Sequence, residues 1–67
     1  MYYDNIHPLN IYEYEDYISP LTTDELEDII NYISYEMIDC SGEKFRILQN
    51  KLYLTEYLLD KVEYNNA

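Results

Sequence analysis

Phe45, Leu48, Leu52, Thr55, Leu59 and Val62 recur at alternating spacings of three and four, an unbroken heptad seam with one threonine in it. Such a seam belongs to a single long helix, expected over residues 43–64, and its apolar side must be covered by other parts of the chain. Thr22 with Glu25 three positions on forms a capping box, and Leu26, Ile30, Ile33 and Met37 follow at helical spacing. A second helix is therefore expected over about residues 23–39, with Ile29 and Cys40 widening its stripe. Ser41 and Gly42 end it, glycine being the natural left-handed stop. So short a link makes the two helices an antiparallel hairpin.

The beginning of the chain is less constrained. Asn10 with Glu13 can cap a short helix whose Ile11, Tyr14 and Ile18 face inward and which Ser19-Pro20 ends. The alternation Tyr12-Glu13-Tyr14-Glu15 equally allows a strand. Helix is preferred, because a lone strand would leave its backbone groups unpaired. The expected architecture is one all-α domain over residues 1–67, a small three-helix unit in which the long C-terminal helix is hairpinned on the middle one, with a loose Tyr-rich amino terminus.

Ile47, Leu54 and Leu58, with Lys51 and Lys61 beside them, draw a second apolar line on the long helix, and Tyr53, Tyr57 and Tyr64 mark a third face. A helix apolar nearly all round belongs inside something. Either the first segment wraps over it, or two chains pair through it. A homodimer is expected, because a domain this small removes only about 60% of its unfolded surface from water.

Charge narrows the function. Fourteen Asp and Glu oppose four Lys and Arg for a net charge of −10. Its placement is uneven: residues 1–43 contain eleven acids and no Lys or Arg, and residues 44–67 carry a net +1. A direct nucleic-acid binder is excluded as first choice, because such binding begins with cations neutralising phosphates. Anionic lipid would repel the chain, and no apolar stretch is long enough to span a membrane. Disorder fits poorly, since 48% of residues are apolar by a broad count and only one is Gly. Tyr, Ile and Asn abound as in chains from AT-rich genomes, which supply Lys as freely, so the shortage of Lys hints at selection against positive charge.

Catalysis finds no kit. His7 is followed by Pro8 near the start and reads as a surface residue, and one histidine with one distant cysteine offers no nucleophile-base pair. Cys40, at a helix carboxyl end among apolar neighbours, reads as packing. The single cysteine forbids an internal disulfide, no Cys/His cluster suits zinc, and a single glycine cannot build a phosphate loop. Asp24-Glu25-Leu26-Glu27-Asp28 lacks the alternating ligands, central glycine and closing Glu of a calcium loop. A carboxylate pair for glycoside hydrolysis needs a cleft that so short a chain hardly forms. No cofactor and no metal is expected. Met1-Tyr2-Tyr3-Asp4-Asn5 has no basic region and leads into no apolar run, so the expectation is a reduced, cytoplasmic protein without a secretion signal.

The acids themselves remain. An ordinary solvated face mixes both signs, with Glu and Lys four apart, whereas Glu13, Glu15, Asp16, Asp24, Glu25, Glu27, Asp28, Glu36 and Asp39 have no basic neighbour in sequence before Lys44. Asp24 and Glu25 would favour the first turn of their helix in any protein, because the helix dipole welcomes negative charge there. Positions four apart lie about 6 Å apart along a helix, comparable to the separation of successive phosphates on a nucleic-acid strand. Asp24, Asp28, Tyr32 and Glu36 make one such row, and Glu25, Tyr32, Glu36 and Asp39 an adjoining one. Tyr12, Tyr17, Tyr32 and Tyr35, among the acids, would add contact area and hydroxyls, while Tyr14, Tyr53 and Tyr57 read as core filling.

With these rows, Glu13-Glu15-Asp16, Asp24-Glu25-Glu27-Asp28 and Glu36-Asp39, the chain resembles the small acidic DNA-mimic proteins that bacteriophages make to block host DNA-binding proteins. Among them it looks most like the staphylococcal-phage inhibitors of the bacterial DNA polymerase sliding clamp. The resemblance implies an inhibitor that occupies the clamp's basic DNA channel in the host bacterial cytoplasm, blocking DNA access and shutting off host replication. The competing expectation is a helical adaptor or inhibitor on a non-DNA surface of host RNA polymerase, or of a defence nuclease, using the Leu/Tyr face of the last helix.

Overall fold

The computed structural model describes Ile6 and residues 8–66, the last three in backbone only; the expectations for the amino-terminal residues 1–5, for His7 and for the Tyr64 side chain lie outside the described residues. Three helices follow one another, α1 (Ile11–Ile18), α2 (Thr23–Ile38) and α3 (Gly42–Asn66), with no strand among the described residues. The chain is all-helical, and the strand reading of Tyr12-Glu13-Tyr14-Glu15 gives way to α1.

Both capping boxes form. The Glu13 amide donates to Asn10 Oδ1 at 2.8 Å while the Asn10 amide donates to Glu13 Oε1 at 3.2 Å. Thr22 and Glu25 do the same for α2, at 3.3 and 3.1 Å. Each box satisfies two of the amides that a helix start leaves without partners. Ser19 closes α1, its amide and its hydroxyl both donating to the Glu15 carbonyl at 3.0 and 2.7 Å, just before Pro20.

The glycine serves a different helix from the one expected. Asp39 caps α2 with φ −101° and ψ 9°, and the Cys40 amide turns back to the Met37 carbonyl at 3.3 Å. Gly42, at φ +68°, opens α3 instead of closing α2. The chain needs its left-handed step on entering the new helix, and glycine makes that step without a Cβ penalty.

With 25 residues, α3 is about 37 Å long at 1.5 Å per residue. The whole molecule measures 37 × 21 × 20 Å, so α3 is its spine. Both other helices pack on α3. Glu27, Ile30 and Asn31 border the same cleft as Glu56, Leu59 and Asp60, which sets the first half of α2 beside the second half of α3. The interior consists of Ile6, Tyr14, Ile18, Leu26, Ile29, Ile33 and Leu48, with Leu52, Leu54, Leu58 and Leu59 half-buried around it.

The first segment covers part of the second apolar line of α3, with Leu54 and Leu58 half-buried and Ile47 still 45% exposed. Ile18 and Ser19 share a cleft with Leu54 and Leu58, and residues 8–11 share another with Ile47 and Lys51. Within α2 the buried face is Leu26, Ile29 and Ile33, while Ile30 and Met37 are only half-buried, so the helix is rolled toward Ile29 relative to the expected stripe. Ile11, expected inside, is 39% exposed; Ile6, from the segment before α1, is the fully buried residue of that region.

Lys51 departs most from expectation. It stands in the core at 1% exposure. Its Nζ donates to the Ile6 carbonyl at 2.6 Å and lies 5.6 Å from the centroid of the Tyr14 ring. Burial lowers its pKa from the ordinary lysine value. Thr55, the polar member of the seam, donates to the Lys51 carbonyl at 2.7 Å, so Tyr14 must be the donor in its own short hydrogen bond to Thr55 Oγ1. A polar chain thus ties the amino-terminal segment, α1 and α3 together, and no described buried side-chain polar atom lacks a partner. The four-carbon stem makes the placement tolerable, being apolar over most of its length.

Candidate interaction surface

The acids of α1, of α2 and of its closing cap Asp39 divide by exposure. Glu13, Glu15, Asp16, Asp24, Glu27, Asp28 and Asp39 are exposed, whereas Glu25 and Glu36 are half-buried. α1 turns Tyr14 and Ile18 inward, which leaves Glu13, Glu15 and Asp16 on its remaining faces. α2 turns Leu26, Ile29 and Ile33 toward the core, and at 100° per residue Asp24, Glu27 and Asp28 fall opposite them.

The rows four residues apart do not stay in solvent. Each such step advances about 40° around a helix, so a row beginning at Asp24 and Asp28 has rotated to the flank by Tyr32 and Glu36. There Tyr32 packs against the core and its hydroxyl donates to Glu36 Oε1 at 2.9 Å. Glu25 likewise turns back to its own cap, where it also accepts from the Thr22 hydroxyl at 3.0 Å. The structure brings Asp24, Glu27 and Asp28 together on the outward ridge of α2 and sets Glu25, Tyr32 and Glu36 on its flank.

The tyrosines divide in the same way. Tyr12 is 82% and Tyr35 70% exposed, while Tyr17 and Tyr32 are half-buried against the core. Of the three read as core filling only Tyr14 is inside; burial pushes its hydroxyl pKa up to about 12. Tyr53 and Tyr57 are 60% and 63% exposed, because the covered faces of α3 are those of Leu48, Lys51 and Thr55. Sequence reasoning also missed Ile38, at 76% exposure in the last turn of α2. Its signal was available: Asp24, Asn31, Tyr35 and Ile38 are related by steps of seven, four and three.

No group of His, Cys, Asp and Glu suited to a metal ion occurs among the described residues. Cys40 is a free thiol, half-buried against the core in the link between α2 and α3. No described helix is long and apolar enough to cross a membrane. Comparison with known proteins finds no matching family model, no matching curated protein and no matching solved structure.

Proposed function

We propose that this chain is a DNA-mimic inhibitor, a protein that enters the basic DNA-binding channel of a host protein and keeps DNA out by competition. One observation carries the reading: six exposed carboxylates on α1 and α2, and a seventh on Asp39 at the end of α2, in a stretch of 43 residues without a Lys or Arg. Long-range attraction brings the inhibitor to a cationic groove quickly, and occupancy does the rest without covalent chemistry. The resemblance in charge and size makes the DNA polymerase sliding clamp the first target to test, in a bacterial cytoplasm.

The experiment is binding to purified clamp across salt. Affinity should fall steeply between about 50 and 200 mM salt, and reversing charge at Asp24 and Asp28 together should weaken binding far more than at Glu56 and Glu63. A flat salt response, or equal losses from the two pairs, refutes the proposal.

A second reading draws on the exposure of Tyr53 and Tyr57, which gives an adaptor a docking face on α3 for a non-DNA surface of RNA polymerase or of a defence nuclease. Tyr53→Ala with Tyr57→Ala should then abolish binding while acid substitutions hardly matter. Pairing of two chains through this face belongs to the same proposal, and sedimentation of the wild type against that double variant measures it.

A further inference from the structure

The outward ridge of α2 is not uniform. Asp24, Glu27, Asp28, Asn31, Tyr35 and Ile38 fall within an arc of about 100°, opposite the buried Leu26, Ile29 and Ile33. Its first turns carry three exposed carboxylates. Tyr35 and Ile38, at 70% and 76% exposure, lie on the same ridge beginning about 10 Å beyond Asp28. Isolated exposed apolar side chains are ordinary, but these two are adjacent at a spacing of three, in line with the acids, on the side turned from the core.

We infer that this ridge is a two-part docking surface, and that its partner is a protein groove lined with Lys or Arg at one end and opening into an apolar socket about 10 Å along. The inference rests on the DNA-mimic reading and adds to it a grip that DNA itself cannot provide. Charge argues for a different protein as occupant: two copies of this chain would bring −10 against −10, whereas a basic groove complements Asp24, Glu27 and Asp28. The pattern is that of a helix laid in a groove with anchors along one face. Acids set the approach and the register, and the apolar end supplies affinity that salt does not screen.

Two charge-matched probe peptides of about twelve residues test this, one interleaving Lys with Leu and the other Lys with Ser, titrated into the full chain at about 50 mM salt and followed by amide chemical shifts. The Lys/Leu peptide should bind about tenfold tighter, with shifts running from Asp24 to Ile38. Tyr35→Ser with Ile38→Ser should remove that advantage and leave Lys/Ser binding unchanged, the helical circular dichroism of the variant staying that of the wild type. The inference falls if the advantage survives this double substitution or maps to Tyr53 and Tyr57. It falls equally if the wild type sediments as a dimer that the double substitution dissolves, which would assign the ridge to a second copy. Equal affinity for the two peptides overturns the apolar end and leaves the anionic reading standing, whereas no binding by either peptide overturns both.

Discussion

Alkali should unfold this protein through one tyrosine in particular. Tyr14 has no solvent exposure, and burial raises its pKa from 10.0 to about 12. The folded state holds the phenol proton more tightly than the unfolded chain, so the contribution is complete below pH 10 and is lost as pH climbs toward about 12. Two pH units at 1.36 kcal/mol each make a loss of about 2.7 kcal/mol, a large share of the margin of a domain this small. Lys51 works the other way, because its lowered pKa makes the folded chain release its proton first and raises stability as pH approaches 10.5. Comparing the wild type with Tyr14→Phe cancels that contribution along with those of the other tyrosines. Near pH 8 the wild type should be the more stable by about 1 kcal/mol, the worth of its hydrogen bond to Thr55. That gap should close near pH 11 and then reverse. Guanidinium unfolding at stepped pH, read by circular dichroism, follows it. A gap that stays constant from pH 8 to 11.5 would refute the reasoning.

Lys51→Ala should cost about 2–3 kcal/mol, from three lost methylenes and a carbonyl of Ile6 left unpaired, offset in part by relief of the buried charge; Lys51→Met, which keeps the stem, should cost less than half of that in the same urea titration. Gly42→Ala meets no atom within 4 Å, so only its φ of +68° opposes the change, and thermal unfolding should show a loss of about 1 kcal/mol, with Asn in its place less harmful. Removing the α2 cap by Thr22→Ala should cost about 1 kcal/mol by chemical denaturation, while Thr22→Asp should be close to neutral.

What could be read in advance was local. Asn10 with Glu13 and Thr22 with Glu25 announce two helix starts, because each box is complete within four residues. The seam from Phe45 to Val62 announces the third helix and its need of cover. What escaped depends on contacts distant in sequence. Ile6 and Ile11 are equally apolar, and only the arrangement of α1 on α3 decides which of them is buried. Lys51 lies between Leu48 and Thr55 at helical spacing, but a lysine is assigned to solvent by default, and nothing nearby in sequence reveals a carbonyl 45 residues away waiting for it. Tyr53 and Tyr57 look like core residues until the two faces of α3 that are covered are known. The acids were legible as a set, yet which of them share a surface depends on the roll of α2, and rolling it toward Ile29 moves Glu25 and Glu36 to the flank.

The Ile6–Lys51 contact has an evolutionary consequence. The ammonium recognises a main-chain oxygen, which every amino acid possesses, so position 6 is held to a volume and not to a functional group. Valine, leucine or methionine there would present the same acceptor. Drift at the beginning of the chain can therefore proceed without loosening the clasp, whereas at position 51 an apolar isostere keeps the packing but gives up the clasp, since it has no proton to donate.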